Sequence, residues 1–193
     1  MADSNNYKKS HPPKMMNEND SGKPKQGIYK PKHPDKVIGG QIIYRSSWEA
    51  SFARWCDDNP NVLEWGGEPT SIQYRNPAGV DFDACRKTGS DPNNPYNWPV
   101  NNYYPDFYVK LRDADTDEEH NLIIEIKPKS QTERPVAPPP GAKLQEQKKY
   151  VNAVKTYLQN LKKWEAAIEW CKPRGFEFKV YTEVTLQAMG IIE

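Results

Sequence analysis

The sequence predicts an α/β domain with a mixed central sheet flanked by helices, and three observations carry that reading. Residues 121–127 read as a strand in which Leu122, Ile123, Ile124 and Ile126 leave almost no polar face, the pattern of a strand covered on both sides. Residues 103–111 read as a second strand, joined to the first as a hairpin across the acidic run Asp113 to Glu119. Two segments with helical periodicity, 45–58 and 143–172, supply the covering layers.

The elements follow in chain order. Residues 1–40 are rich in Lys, Pro, Asn and Ser and poor in apolar residues, too poor to offset their own ordering entropy. They are expected to form a flexible basic arm in front of a domain spanning 41–193. In the first helix, Trp48, Phe52, Trp55 and Cys56 make one apolar stripe, Ser46 or Ser47 caps its start and Asn59-Pro60 ends it. Residues 70–75 alternate as a short strand, with Ile72 and Tyr74 inward. Residues 76–102 are dense in Asn, Pro, Asp and Gly and read as a long surface loop insertion. The two hairpin strands come next, followed by a Pro-rich loop at 135–140. The long helix carries Tyr150, Val154, Tyr157, Leu158, Leu161, Trp164, Ala167 and Ile168 at helical spacing, until Pro173 and Gly175 stop it. Phe176 to Tyr181 is a last strand, and 183–189 a short closing helix.

Composition excludes some classes. The 193 residues suit one domain plus tails. No run approaches the roughly 20 apolar residues of a membrane span, and no apolar stretch follows the N-terminus, so a soluble intracellular protein is expected. Cys56, Cys85 and Cys171 are odd in number and widely spaced, which argues against a disulfide framework or a zinc site. The net charge is only +1, but it is unevenly spread. Residues 1–48 hold nine Lys/Arg against four acids, and 143–172 hold seven Lys against three. Two basic stretches in a near-neutral chain suggest an electrostatic footprint for a polyanion.

The candidate chemistry lies in Tyr104-Pro105-Asp106-Phe107 on one strand and Ile124-Glu125-Ile126-Lys127 on the next. Side chains repeat every two residues along a strand, so Glu125 and Lys127 share a face and Ile124 and Ile126 take the other. If the strands pair, Asp106 sits beside Glu125. Two carboxylates form a hard oxygen site for Mg²⁺ or Mn²⁺, and Mg²⁺ needs only one or two of them beside water and phosphate. The competing reading is an ordinary same-face ion pair between Glu125 and Lys127, although so apolar a strand is a poor exposed edge. Glu49 is open in the same way. Ser46-Ser47-Trp48-Glu49 fits a capping box, with Glu49 reaching back to the Ser46 amide, and spacing favours that reading over a further metal ligand. Glu68 reads either as a loop acid or as a neighbour of the site. His11, His33 and His120 lie in polar segments and make poor bases or ligands.

Taken together, Tyr44-Arg45-Ser46-Ser47-Trp48-Glu49, Asn61-Val62-Leu63-Glu64-Trp65, Tyr104-Pro105-Asp106-Phe107 and Ile124-Glu125-Ile126-Lys127-Pro128-Lys129 resemble the head-completion nucleases of T-even-type tailed phages. More distantly they are similar to the transposon endonuclease subunit that shares the PD-(D/E)xK fold. The likeness runs over roughly residues 27–190 and takes in Asn160-Leu161-Lys162-Lys163-Trp164 and Thr182-Glu183. It implies a PD-(D/E)xK, restriction-endonuclease-like core, with Glu49, Asp106, Glu125 and Lys127 as catalytic residues and Asp106, Glu125 and Glu49 as ligands of Mg²⁺ or Mn²⁺. It also implies a DNA nuclease that trims packaged double-stranded DNA at the capsid vertex before neck and tail attachment. The expected setting is the virion, and the host cytoplasm during assembly, with portal and neck proteins as partners and copies arranged around the portal ring. Lys129, Lys143, Lys148 and Lys163 are the candidate DNA contacts. The long 76–102 insertion and the basic arm depart from the family pattern and bear on substrate access. A structural plug of the portal vertex that keeps the nuclease fold is the alternative reading; a transposase-type or repair endonuclease fits the small size less well.

Overall fold

The computed structural model describes residues 26–193. Residues 1–25, the greater part of the expected arm, lie outside the described residues. Strand β1 (Gly27–Tyr29) pairs antiparallel with β2 (Ile42–Tyr44), and helix α1 (Ser47–Asp58) follows. Then come β3 (Val62–Gly67), β4 (Ile72–Arg75), a short helix α2 (Phe82–Thr88) and β5 (Val100–Tyr103). The chain ends with β6 (Phe107–Arg112), β7 (Glu119–Ile126), the long helix α3 (Leu144–Cys171), β8 (Glu177–Tyr181) and α4 (Glu183–Ala188).

The central sheet has the order β3-β6-β7-β8, antiparallel except for the parallel pair β7–β8. A parallel pair needs a crossover connection, and α3 supplies it. The mixed sheet flanked by helices is therefore the architecture the sequence predicts. Alternation along β7 divides the core. Leu122, Ile124 and Ile126 join Phe52, Trp65, Phe107, Val109 and Leu186 on the side of α1 and α4. Ile123 turns the other way, to Tyr108 and Cys171 on the side of α3. Phe52 anchors α1, meeting Phe107 edge-on at 5.0 Å and stacking on Trp55 at 5.5 Å. A second hairpin, β4–β5, packs Ile72, Tyr74 and Tyr103 against Ala167 of α3.

Three expectations need correction, and one strand went unread. Residues 26–40 are not a free arm. Asp57, at the end of α1 and fully buried, accepts from the Tyr29 hydroxyl at 2.9 Å and from the Lys32 and His33 amides at 2.7 and 3.0 Å. The apolar-residue argument missed this because the segment is held by a buried carboxylate, not by its own apolar surface. Residues 76–102 are not a bare loop. Asp81 caps α2 through the Asp83 and Ala84 amides, and Gly89 ends it at φ 72°. The strand expected over 103–111 is two strands, with β5 in the satellite hairpin and β6 in the central sheet. Finally, β3 is a strand that alternation does not reveal, because its register shifts between Val62 and Glu64.

The anchored segment crosses β3 closely. The Ile38 amide donates to the Trp65 carbonyl at 2.9 Å, and a Cβ added to Gly66 would stand 2.6 Å from the Ile38 carbonyl oxygen. Gly66→Ala is therefore expected to push residues 37–38 off the sheet and to cost about 1–3 kcal/mol, measured by denaturant unfolding.

Candidate active site

The register explains why the candidate residues meet. Phe107 pairs with Ile124 across β6 and β7, so one step beyond the end of β6 brings Asp106 opposite Glu125. The Ile126 amide donates to Asp106 Oδ2 at 2.7 Å and fixes that carboxylate. Glu125 and Lys127 share a face, as alternation requires, and Lys127 Nζ lies 2.8 Å from Glu125 Oε1 and 3.8 Å from Asp106 Oδ2. The Lys127 amide donates to the Tyr181 carbonyl at 3.0 Å, extending the β7–β8 pairing to the site. Asp106, Glu125 and Lys127 thus form one cluster at the end of the central strands.

The electrostatics are those of a site short of positive charge. Glu125 is only 2% exposed and Asp106 19%. Burial and the neighbouring Glu125 carboxylate push the Asp106 carboxyl well above its ordinary range, despite Lys127 and the Ile126 amide. Burial also works against the charge on Lys127, but Asp106 and Glu125 outweigh it and hold the amine above the usual lysine value. One lysine serves two buried carboxylates. No described residue donates to Asp106 Oδ1. Two carboxylates, one with a free oxygen, fit a hard divalent cation that completes its shell with water and phosphate.

Glu49 is placed differently. Its Oε2 accepts from the Arg45 amide at 2.7 Å and its Oε1 from the Ser46 hydroxyl at 2.9 Å, while Ser46 Oγ accepts from the Glu49 amide at 3.1 Å. The capping reading describes these contacts, with the Arg45 amide in place of the expected Ser46 amide. Glu49 is near enough to add negative charge at Asp106 and Lys127. Yet among the described residues no group of three or more His, Cys, Asp or Glu is placed to hold a metal ion. Glu68 proves to be a neighbour of the site. Its amide donates to the Asp106 carbonyl at 3.0 Å, its side chain pairs with Arg45, and its φ is 44°, uncommon for a residue with a side chain.

Two side chains join from outside the central sheet. The Tyr103 hydroxyl donates to Glu125 Oε2 at 2.8 Å, so both Glu125 oxygens are held. Burial and Glu125 raise the Tyr103 hydroxyl far above its ordinary value, so it stays a donor. Sequence reasoning missed Tyr103 because β5 belongs to a separate hairpin; its place three residues before Asp106 was the available signal. Lys163 is the one candidate DNA lysine brought to the cluster. Its amine lies 5.6 Å from the Tyr103 ring centre and 6.0 Å from that of Tyr74. Burial lowers its pKa, and the charges of Glu125, Lys127 and Asp106 all reach it. Lys143 caps α3 and Lys148 lies in its first turns, about 30 and 22 Å along the helix from Lys163 at 1.5 Å per residue. Lys129 is exposed and lies 3.5 Å from Glu133. His33 serves through its backbone and His120 pairs with Glu177, so neither reaches the site.

Comparison with known proteins settles the lineage. Residues 59–183 match the family described as TnsA-like endonuclease N terminal. The chain is also 32% identical over 166 residues to the Head completion nuclease of Enterobacteria phage T4, covering 85% of this chain and 95% of that protein. The chain belongs to the head completion nuclease family. Its sheet and flanking helices are accordingly the restriction-endonuclease-like fold. Among the described residues no helix is long and apolar enough to cross a membrane, and the three cysteines are buried and unbridged.

Proposed function

We propose that this chain is a Mg²⁺- or Mn²⁺-dependent deoxyribonuclease that processes packaged double-stranded DNA at the capsid vertex before neck and tail attachment. The observation that supports it most is the meeting of Asp106, Glu125 and Lys127 in one buried, charge-deficient cluster. Asp106 and Glu125 would hold the cation, with Glu49 acting from the α1 cap through its charge or through water. When bound, a divalent cation lowers the pKa of a water and neutralises charge that develops on the phosphoryl group. Lys127 presents its amine to the scissile phosphate and the attacking water. Tyr103 keeps Glu125 in one orientation, and Lys163 offers a second cation to the backbone phosphate. Lys129, Lys143, Lys148 and the basic residues before Gly27 would hold phosphates further off, in a salt-dependent and sequence-independent way. A place in the virion, portal or neck partners and copies around a ring belong to the same proposal, whose head-completion part is supported by the likeness to the T4 Head completion nuclease.

The test is cleavage of linear and supercoiled DNA with Mg²⁺, Mn²⁺ or EDTA by the wild type, Glu125→Ala and Lys127→Ala. Metal-dependent cutting lost in both variants is the expected result. No cutting under any condition, with normal capsid completion by both variants, would favour a structural plug of the portal vertex instead. Tyr103→Phe removes one hydrogen bond to a buried carboxylate. It is expected to slow cleavage about tenfold and to weaken Mn²⁺ binding measured by calorimetry, a readout that mere packing would not move. Deleting residues 1–25, and not the anchored 26–40, is expected to flatten the salt dependence of DNA affinity.

A further inference from the structure

A cleft of about 440 Å³ opens between the β4–β5 hairpin and α3. That volume lies within the range of about 300–1,000 Å³ typical of small-ligand sites. Its walls are Tyr74 and Arg75 on one side, Trp98 at one end, and Lys162, Glu165 and Glu169 of α3 on the other. Trp98 is held in place, because its indole Nε1 donates to the Pro92 carbonyl at 2.9 Å. Lys162 Nζ lies 6.0 Å from the Trp98 ring centre and 2.7 Å from Glu165. Arg75 lies 5.4 Å over the Tyr96 ring and donates to the Tyr96 and Trp98 carbonyls at 3.1 and 3.4 Å. The cleft therefore combines aromatic faces with cations that stand against them.

Its position matters as much as its lining. Tyr74, a wall of the cleft, and Tyr103, the partner of Glu125, flank the same lysine, Lys163. A strand whose phosphate rests at Lys127 and Lys163 would thus carry its next base to the mouth of the cleft. Two cations, Arg75 and Lys162, and two carboxylates, Glu165 and Glu169, line the cleft and leave it no net charge to draw a phosphate, whereas a base is uncharged and has a flat face for Trp98. Aromatic side chains hold unpaired bases by stacking, with little sequence preference. A base inside a duplex is stacked on its neighbours and cannot enter without being turned out.

We infer that this cleft holds one unpaired nucleobase of the cut strand, so that the enzyme prefers DNA with a frayed or overhanging end to continuous duplex. The inference rests on the nuclease reading above and deepens it. The test uses the full chain and two labelled DNAs, a blunt hairpin duplex and the same hairpin with a single-stranded overhang. Binding is measured by fluorescence anisotropy in EDTA and cutting in Mg²⁺. The wild type is expected to bind and cut the overhang better. Trp98→Ala is expected to weaken overhang binding about tenfold, Trp98→Phe to retain most of it, and Val100→Trp, which fills the cleft from an exposed position of β5, to mimic Trp98→Ala. Equal treatment of both DNAs by the wild type, or no effect of Trp98→Ala and Val100→Trp on the overhang, would overturn the inference while cutting persists. Trp98-dependent overhang binding with no cutting at all would uphold the cleft and overturn the nuclease reading.

Discussion

Lys127→Met is expected to slow metal-dependent DNA cleavage by about 10²–10³-fold, the scale seen when one preorganised charge-stabilising group is removed from a site. The methionine keeps most of the stem and removes the only amine, among the described residues, within 4 Å of both Glu125 and Asp106. The loss should fall on the chemical step, because Lys163 and the more distant lysines proposed to hold the phosphate backbone are unchanged. DNA affinity in EDTA is accordingly expected to change much less than the cleavage rate. The substitution also removes the ionic partner of a glutamate that is 2% exposed. Breaking a buried pair from one side costs about 3–5 kcal/mol, unless the carboxyl takes up a proton or a cation. Mg²⁺ should therefore raise the melting temperature of Lys127→Met more than that of the wild type. A cleavage rate within threefold of wild type would remove Lys127 from the chemistry.

Asp57→Ala is expected to be the most destabilising change far from the cluster. It strands two backbone amides and the Tyr29 hydroxyl and opens a fully buried position, for a loss of roughly 3 kcal/mol. The N-terminal segment from β1 to Ile38 should then become protease-sensitive before the central sheet does. The same carboxylate makes a pH signature. Burial alone would raise the Asp57 carboxyl, but the Lys32 and His33 amides and the Tyr29 hydroxyl outweigh it and hold it below the usual carboxylate range. His33 also acts on the Asp57 carboxyl through charge and lowers it further, Lys36 meets the Asp57 backbone carbonyl, and Asp58 and Arg54 act on the Tyr29 hydroxyl. A depressed native pKa contributes stability that is full above the unfolded carboxylate value near 4 and is lost as pH falls through the native value. Wild-type stability should thus drop between about pH 4 and the native pKa, and Asp57→Asn should drop less over the same window in urea unfolding.

The parts of this protein that were legible in its sequence are those fixed by local repeat. The apolar run of β7, the period-two placement of Glu125 and Lys127, the stripe of α1 and the Ser46 cap all follow from spacing within one element, whereas α3 buries Asn160, Ala167 and Cys171 and leaves Leu158 and Ile168 of its expected stripe exposed. What was not legible depends on contacts between elements. Residues 26–40 look free until Asp57, more than twenty residues on, is seen to collect their amides. Tyr103 becomes a partner of Glu125 only because the β4–β5 hairpin packs on α3 beside β7. Strand β3 hides behind a register shift at Val62 and Glu64, which breaks the alternation that marks a strand. Helix α2 has readable ends, Asp81 and Gly89, but is too short to show a period. Glu49 shows both levels at once: its capping contacts are legible from four residues, whereas its electrostatic reach to Asp106 and Lys127 depends on how α1 sits on the sheet.

Asp106 and Glu125 are proposed to hold a cation on which DNA cleavage depends. The direct measurement is the rate at which the purified wild-type chain cuts a linear duplex as Mg²⁺ is titrated into an EDTA-treated sample, beside Asp106→Ala. No cutting in EDTA, a saturable rise with Mg²⁺ in the wild type and no such rise in Asp106→Ala are the expected results. Cutting that persists in EDTA, or a rise with Mg²⁺ that Asp106→Ala reproduces, would contradict that proposal.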